Sequence, residues 1–134
     1  MRCFITGIGG FVGLHLADML LAAGHEVSGT VTHDQARHGL RSLATRHAGF
    51  APDRLAVADV TDRVAVERAL AAMVPQRVFH LAAIAFEPHA EVDPVRTLAV
   101  NVLGTVHVID AARAVAPQAR VVIAGSAAVY GAIT

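Results

Sequence analysis

The sequence has no lysine, no tryptophan, one cysteine and one tyrosine. Each scarcity excludes something. A single thiol, Cys3, forms no disulfide within the chain, so nothing points to an oxidising compartment; lying in the first apolar run, it reads as a small core residue. Without lysine there is no Gly-Lys-Ser/Thr phosphate loop. The 11 cations, all arginine, are matched by 11 acids, which leaves no net charge and speaks against a nucleic-acid partner. Charged residues make up 16% of the chain and hydrophobic ones 54%, which argues against disorder. No run approaches the roughly 18 uninterrupted apolar residues of a membrane span. Gly7, Gly9, Gly10 and Gly13, followed by His15 and Asp18, break up the N-terminal apolar stretch, so it is not read as a signal peptide and a cytoplasmic protein is expected.

What is present is an alternation of short apolar runs and helical patterns. At 134 residues one domain is expected. Residues 2–6, 26–31, 54–58, 77–83 and 120–124 read as strands, the fourth nearly all apolar, as in parallel sheets covered on both faces. Helices are expected over 11–23, with Val12, Leu16, Met19, Leu20 and Ala23 on one face and Gly24 at the C-cap, and over a short amphipathic stretch within 34–48. A third covers 63–73, capped by Thr61 or Asp62, with Val66, Leu70 and Met73 facing inward. Asp93-Pro94 opens a long helix to about Val115, with Leu98, Val102, Val106 and Ile109 along one side and Pro117 beyond its end. The alternation predicts an α/β fold, a Rossmann-type doubly wound parallel sheet of five strands in the order 3-2-1-4-5.

The first strand runs into Thr6-Gly7-Ile8-Gly9-Gly10-Phe11-Val12-Gly13, with Gly-x-x-Gly-x-x-Gly at 7, 10 and 13. This spacing suits a dinucleotide. Gly7 makes the tight turn, Gly10 lets the backbone approach a pyrophosphate, and Gly13 allows close helix packing, while the helix N-terminus offers N–H groups and the positive end of its dipole. An acid about 20 residues further on would bind a ribose 2′-hydroxyl. That stretch, Val31 to His33, has none; Asp34 lies just past it, and Arg37 or Arg41 could meet a 2′-phosphate. The cofactor is therefore NAD or NADP, with the balance leaning to NADP. His33, His38 and His47 share one polar region without a Cys partner or an i,i+4 pair, so no metal site is expected. Glu67, Glu87, Glu91 and Asp93 form no paired arrangement.

In these residues the chain resembles the extended short-chain dehydrogenase/reductase family, the NAD-dependent epimerases, dehydratases and reductases of nucleotide sugars. Thr6–Gly13 is similar to its opening motif, Asp59-Val60-Thr61-Asp62 to its adenine-contacting stretch, and His80-Leu81-Ala82-Ala83 to its strand-four motif. Asn101-Val102-Leu103-Gly104-Thr105 resembles its long-helix motif and Gly125–Gly131 its strand-five motif. Val27–Thr30 and Val106–Ala111 most resemble the GDP-mannose 4,6-dehydratases and the GDP-4-keto-6-deoxymannose reductases. The resemblance implies that Gly7, Gly10, Phe11, Val12, Gly13, Thr32, Asp59, Val60, Leu81, Ala82, Ala83, Asn101 and Ala124 line the cofactor site.

The resemblance also implies a catalytic tyrosine, a lysine four residues after it, and a Ser or Thr at the end of strand five. Ser126 stands in that last position. Tyr130, the lone tyrosine, belongs to the strand-five motif, and Thr134 stands four residues on, where the pair needs lysine. Residues 1–134 are thus expected to be an incomplete NAD(P)-binding domain, ending before the Tyr-x-x-x-Lys pair, the further strands and the sugar-binding part. The parent reaction would be hydride transfer at a sugar C4 hydroxyl or carbonyl of a nucleotide-sugar substrate. The 134 residues alone are expected to bind a dinucleotide weakly or not at all, and not to turn over. The alternatives are a non-catalytic dinucleotide-binding regulatory module and a non-functional remnant. The family's dimers imply a homodimer through helix 94–115.

Overall fold

A computed structural model of the chain describes residues 1–34, 39–85 and 87–131. Five parallel strands form one sheet: β1 (Arg2–Thr6), β2 (Glu26–Val31), β3 (Ala56–Val57), β4 (Arg77–His80) and β5 (Arg120–Ile123). Their order is β3-β2-β1-β4-β5, as the alternation predicts. The helices are α1 (Phe11–Ala22), α2 (Arg41–Arg46), α3 (Arg63–Ala71), α4 (Glu87–Val92), α5 (Pro94–Leu98) and α6 (Gly104–Val115). A π-helical turn, Ala99–Leu103, joins α5 and α6, so residues 94–115 run as one long helix.

The period-2 alternation of β1 builds a core on each side of the sheet. Cys3 and Ile5 face one way and pack with Ala17, Val27, Leu43 and Phe50 under α1 and α2. Phe4 faces the other and packs with Val66, Leu70, Val78, Val108 and Ala111 under α3 and α6. Each fully buried large side chain of this kind contributes about 1.5–3 kcal/mol. On the first side, His47 Nε2 lies 2.6 Å from Asp18 Oδ1 and Arg46 3.2 Å from Asp18 Oδ2, which ties the end of α2 to α1. The hydrogen bond from His47, with Arg46 and His15 nearby, holds the Asp18 carboxyl below its usual range.

Several expectations are corrected. The third strand is two residues long rather than five, because Pro52–Arg54 forms a 3-10 turn and β2 offers only Thr30 and Val31 as partners. The fourth strand stops at His80, and residues 81–83 leave the sheet. Helix α4 was not foreseen. On α1 the contact face is Gly13 and Ala17, flanked by half-buried Leu14, Leu16, Leu20 and Leu21, while Val12, Met19 and Ala23 are exposed. The helix is apolar nearly all round, so periodicity could not choose its face. The long helix is likewise turned about: Leu98, Val102, Val106 and Ile109 are all exposed, and Val100, Gly104, Val108, Ala111 and Ala112 are buried.

Candidate functional site

The site forms at the C-terminal ends of the strands, where an open parallel sheet places its ligand crevice. Its floor is the turn after β1. Gly7 has φ +70°, and a Cβ there would lie 2.9 Å from both N and Cα of Ala82, so an L side chain is excluded by conformation and by space. A Cβ at Gly13 would lie 2.4 Å from Gly7 O and 2.8 Å from Ile8 Cα; glycine lets the first turn of α1 sit directly on the loop. Gly10 is the N-cap of α1, with no capping side chain and no acid in the first turn. The first-turn N–H groups therefore have no intrahelical acceptor and no competing anion on the helix.

A cavity of about 250 Å³ opens beside this turn. It is lined by Gly7 and Gly10, by Thr30 to Thr32 at the end of β2, by Ala58, Asp59 and Val60 after β3, by Leu81 to Ile84 after β4, and by Arg96 and Val100 of the long helix. A second cavity, about 430 Å³, lies on the other side of Leu81–Ile84. Asn101, Thr105, Ala124 and Ser126 line it. The segment 81–84 is the common wall of the two.

That wall is held by a chain of hydrogen bonds whose protons can be counted. Thr105 Oγ1 donates to Asn101 O (2.7 Å), so it accepts from His80 Nε2 (3.0 Å). Thr6 Oγ1 accepts from the N–H groups of Leu81 (3.2 Å) and Ala82 (3.3 Å), so its own proton goes to His80 Nδ1 (2.7 Å). Every partner is satisfied when the imidazole is neutral and carries its proton on Nε2. Burial pushes the His80 pKa down, in keeping with that form. From the far side, Asn101 clasps Ile84 twice, accepting from its N–H (2.8 Å) and donating to its carbonyl (2.9 Å). Asn101 sits in the π-helical turn, a feature frequent at functional sites.

The turn after β3 is gripped in the same way. Asp62 caps α3, accepting from Val64 and Ala65 N–H at 3.0 Å each. Asp59 Oδ1 accepts from Thr61 N–H (2.9 Å) and Thr61 Oγ1 (2.7 Å), and Asp59 Oδ2 pairs with Arg96 Nη2. Burial would push the Asp59 carboxyl up, but the Thr61 donors and the Arg96 guanidinium outweigh it and hold the group below its ordinary value. Behind Asp59, His107 Nδ1 donates to Val60 O (3.0 Å), and Gly104 packs where a Cβ would meet Val60 Cγ2 at 2.6 Å.

Of the residues expected at the cofactor site, the first cavity brings together Gly7, Gly10, Thr32, Asp59, Val60, Leu81, Ala82 and Ala83. The second brings Asn101, Ala124 and Ser126 to the other side of the wall. Gly13 is buried under the turn, and Phe11 and Val12 lie exposed at the start of α1. Tyr130 is exposed in a 3-10 turn, Ala127–Tyr130, and lines neither cavity. Arg37 and His38 lie outside the described residues, and Arg41 lines neither cavity. Three roles escaped the sequence reading: that of Arg96 at Asp59, and those of Thr6 and Thr105, which stand in the opening and long-helix motifs, on either side of His80. A signal for Arg96 existed, since it shares a helical stripe with Val100 and Gly104 at i, i+4 and i+8.

Comparison with known proteins gives consistent matches. A family model described as GDP-mannose 4,6 dehydratase matches residues 4–134. A probable UDP-glucuronate 4-epimerase of Rhizobium meliloti is 32% identical over 98% of this chain and 39% of its own length. UDP-glucuronic acid decarboxylase 1 of Danio rerio is 34% identical over 97% of the chain and 28% of its own. Among solved structures, a Thermus thermophilus UDP-glucose 4-epimerase in complex with NAD is 34% identical, with TM-score 0.67 over 85% of this chain and 34% of that one. The Bifidobacterium longum UDP-glucose 4-epimerase, in complex with NAD+ and UDP, matches in fold, with TM-score 0.85 at 20% identity over 98% of this chain and 38% of that one. The chain thus spans about two fifths or less of the length of these relatives.

Proposed function

The chain belongs to the NAD-dependent epimerase/dehydratase family, through its GDP-mannose 4,6 dehydratase model, and from that premise we propose that residues 1–134 are the dinucleotide-binding portion of an enzyme that modifies nucleotide sugars. One observation carries the reading. The glycine turn, the Asp59 turn and the wall 81–84 line one cavity at the C-terminal ends of the strands. The fit to a dinucleotide rests on the turn itself, where Gly7 and Gly10 line the cavity without side chains and α1 presents an uncapped N-terminus.

In this reading, the first-turn N–H groups of α1 hold the pyrophosphate. Asp59 and Val60 receive the adenine, and Thr32 stands at its ribose. The second cavity takes the nicotinamide end and the sugar, with Ser126 toward the reacting sugar oxygen. When bound, the nicotinamide supplies hydride exchange with the sugar C4 carbon. NAD is the better supported form: the Thermus relative is an NAD complex, and the one cationic side chain lining the first cavity among the described residues, Arg96, is paired with Asp59. The case for NADP rests on Arg37 and Arg41. The named relatives act on UDP-sugars and the family model is described by GDP-mannose, so a nucleoside-diphosphate sugar is the substrate class we propose.

These residues contain no Tyr-x-x-x-Lys pair, so they bind and orient but lack the acid/base that moves the sugar hydroxyl proton. A homodimer through the long helix is part of the proposal, supported by the exposed side of that helix. So is a cytoplasmic location. The test is a titration of the 134-residue chain with NAD+ and NADP+, followed by amide NMR. Shifts are expected in the residues that line the two cavities, from the turn 7–13, Thr32 and the turn 59–62 to the wall 81–84, Asn101 and Ala124, with no turnover of UDP-glucose, UDP-glucuronate or GDP-mannose. Turnover, or the absence of any shift at millimolar nucleotide, overturns it.

A further inference from the structure

We propose that Arg96 is a positioning residue that makes the base pocket select a 6-amino purine, acting through Asp59. The inference rests on the dinucleotide reading above and adds a residue that the family resemblance did not supply.

Counting lone pairs leads to it. Both acceptor sites of Asp59 Oδ1 are used by Thr61, through its N–H and its hydroxyl. One site of Oδ2 is used by Arg96. A single acceptor site is left, on the oxygen that Arg96 fixes, in a carboxylate that lines the cavity. Such a site receives an N–H donor and repels a carbonyl oxygen, so it favours adenine over hypoxanthine at the same position.

Arg96 is itself well anchored. It stands third in α5 after the N-cap Asp93, whose Oδ1 takes its backbone N–H at 2.8 Å, and Pro94 fixes the helix start. Its second guanidinium nitrogen leans on Thr61 Oγ1 at 3.4 Å. The guanidinium thus holds one carboxylate oxygen directly and bears on the Thr61 hydroxyl that holds the other. It fixes the oxygen and partly neutralises the charge. Fixing the oxygen strengthens discrimination and the neutralisation weakens it. The pair is partly exposed, 44% for Arg96 and 32% for Asp59, so solvent screens the charge effect and the fixing prevails.

The experiment is an NMR titration of the 134-residue chain and of its Arg96→Ala and Arg96→Lys variants. The probes are NAD+ and nicotinamide hypoxanthine dinucleotide, which differs at the 6-position of the purine. The spectra report folding and binding together. In Arg96→Ala, NAD+ should weaken about fivefold, the scale of one partly lost hydrogen bond, and the hypoxanthine analogue less than about twofold. Arg96→Lys should recover at least about half of the lost discrimination on the logarithmic scale, since it restores the cation but not the fork. Equal weakening for both nucleotides, or a ratio that stays level or rises in Arg96→Ala, overturns the inference while leaving the dinucleotide reading intact. Failure of the unsubstituted chain to bind NAD+ overturns the reading, and the inference with it.

Discussion

The two long sides of the helix 94–115 carry different kinds of residue. The inner side holds Arg96, Val100, Gly104, His107, Val108 and Ala111, and the outer side Leu98, Val102, Val106 and Ile109. Judged by hydropathy, the outer side is the better core face. It is nevertheless the exposed one, with Leu98 62% and Val102 53% accessible. What decides is fit. The inner side lies against the turn 59–62, where Arg96 reaches Asp59, Gly104 leaves no space beside Val60, and His107 takes the Val60 carbonyl. In a helix with two apolar sides, the small and polar positions mark close contact, and the large apolar ones are left for another surface.

The strongest way to break this contrast is to fill the closest contact. Gly104→Val places a side chain where even a Cβ would stand 2.6 Å from Val60 Cγ2. It should cost stability at the upper end of about 1–3 kcal/mol, read as a lower urea midpoint. Adding Val60→Ala should recover part of that loss, giving a coupling of at least about 0.5 kcal/mol in the double-mutant cycle. Strict additivity would mean that the helix does not bear on the turn.

The next test concerns His80, which is tied to the same helix through Thr105. His80→Asn keeps an acceptor for Thr6 but loses the donor to Thr105, and should cost about 1–2 kcal/mol. A pH dependence goes with it. The folded pKa of His80 is pushed down by burial, so the unfolded chain binds the proton more readily. Stability from this group is whole above the ordinary imidazole value of about 6.5 and falls as the pH drops below it. Asp59 and Asp18 are also depressed, and their contributions persist to lower pH, declining only as the pH falls below the ordinary carboxylate range. Urea midpoints should therefore fall between pH 7 and pH 5 for the unsubstituted chain, and fall less for His80→Asn. A ring nitrogen spectrum with the proton on Nδ1 would contradict the assignment directly.

Much of this was legible in the sequence. Five strands, their order and the glycine turn follow from alternation and spacing, because local patterns set them. A cap at Thr61 or Asp62 and the inward Val66 and Leu70 of α3 were equally readable, and the structure gives the cap to Asp62. The faces of α1 and the long helix were not, because both are apolar on more than one side and periodicity has no preference there. Arg96 and Asp59 stand 37 residues apart, and no local pattern joins them. The same holds for Thr6 and His80, which meet because β1 and β4 are neighbours in register.

A smaller effect is expected at the other end of the gripped turn. Asp62→Ala removes the cap from Val64 and Ala65 N–H and should cost about 1 kcal/mol, with little change at Asp59. A loss above about 2 kcal/mol would mean that the cap and the Arg96 contact act as one unit rather than as separate holds.

The smallest effect on stability should come from the outer side. Val102 and Ile109 are 53% and 41% exposed, so Val102→Gln with Ile109→Gln removes little buried surface and keeps good helix formers. The unfolding midpoint at low protein concentration should move by less than about 0.5 kcal/mol. Association should respond instead. If the outer stripe pairs with a second copy, the unsubstituted chain will sediment as a concentration-dependent dimer and the double variant as a monomer, since two buried amides per protomer would lack partners in the pairing. The contrast between the sides is therefore quantitative: inner substitutions change folding without requiring a partner, and outer ones change self-association while leaving the fold. A stability loss of about 2 kcal/mol or more in the monomeric double variant would show that the outer side is core after all. It would also remove the support that the exposed stripe gives to the homodimer.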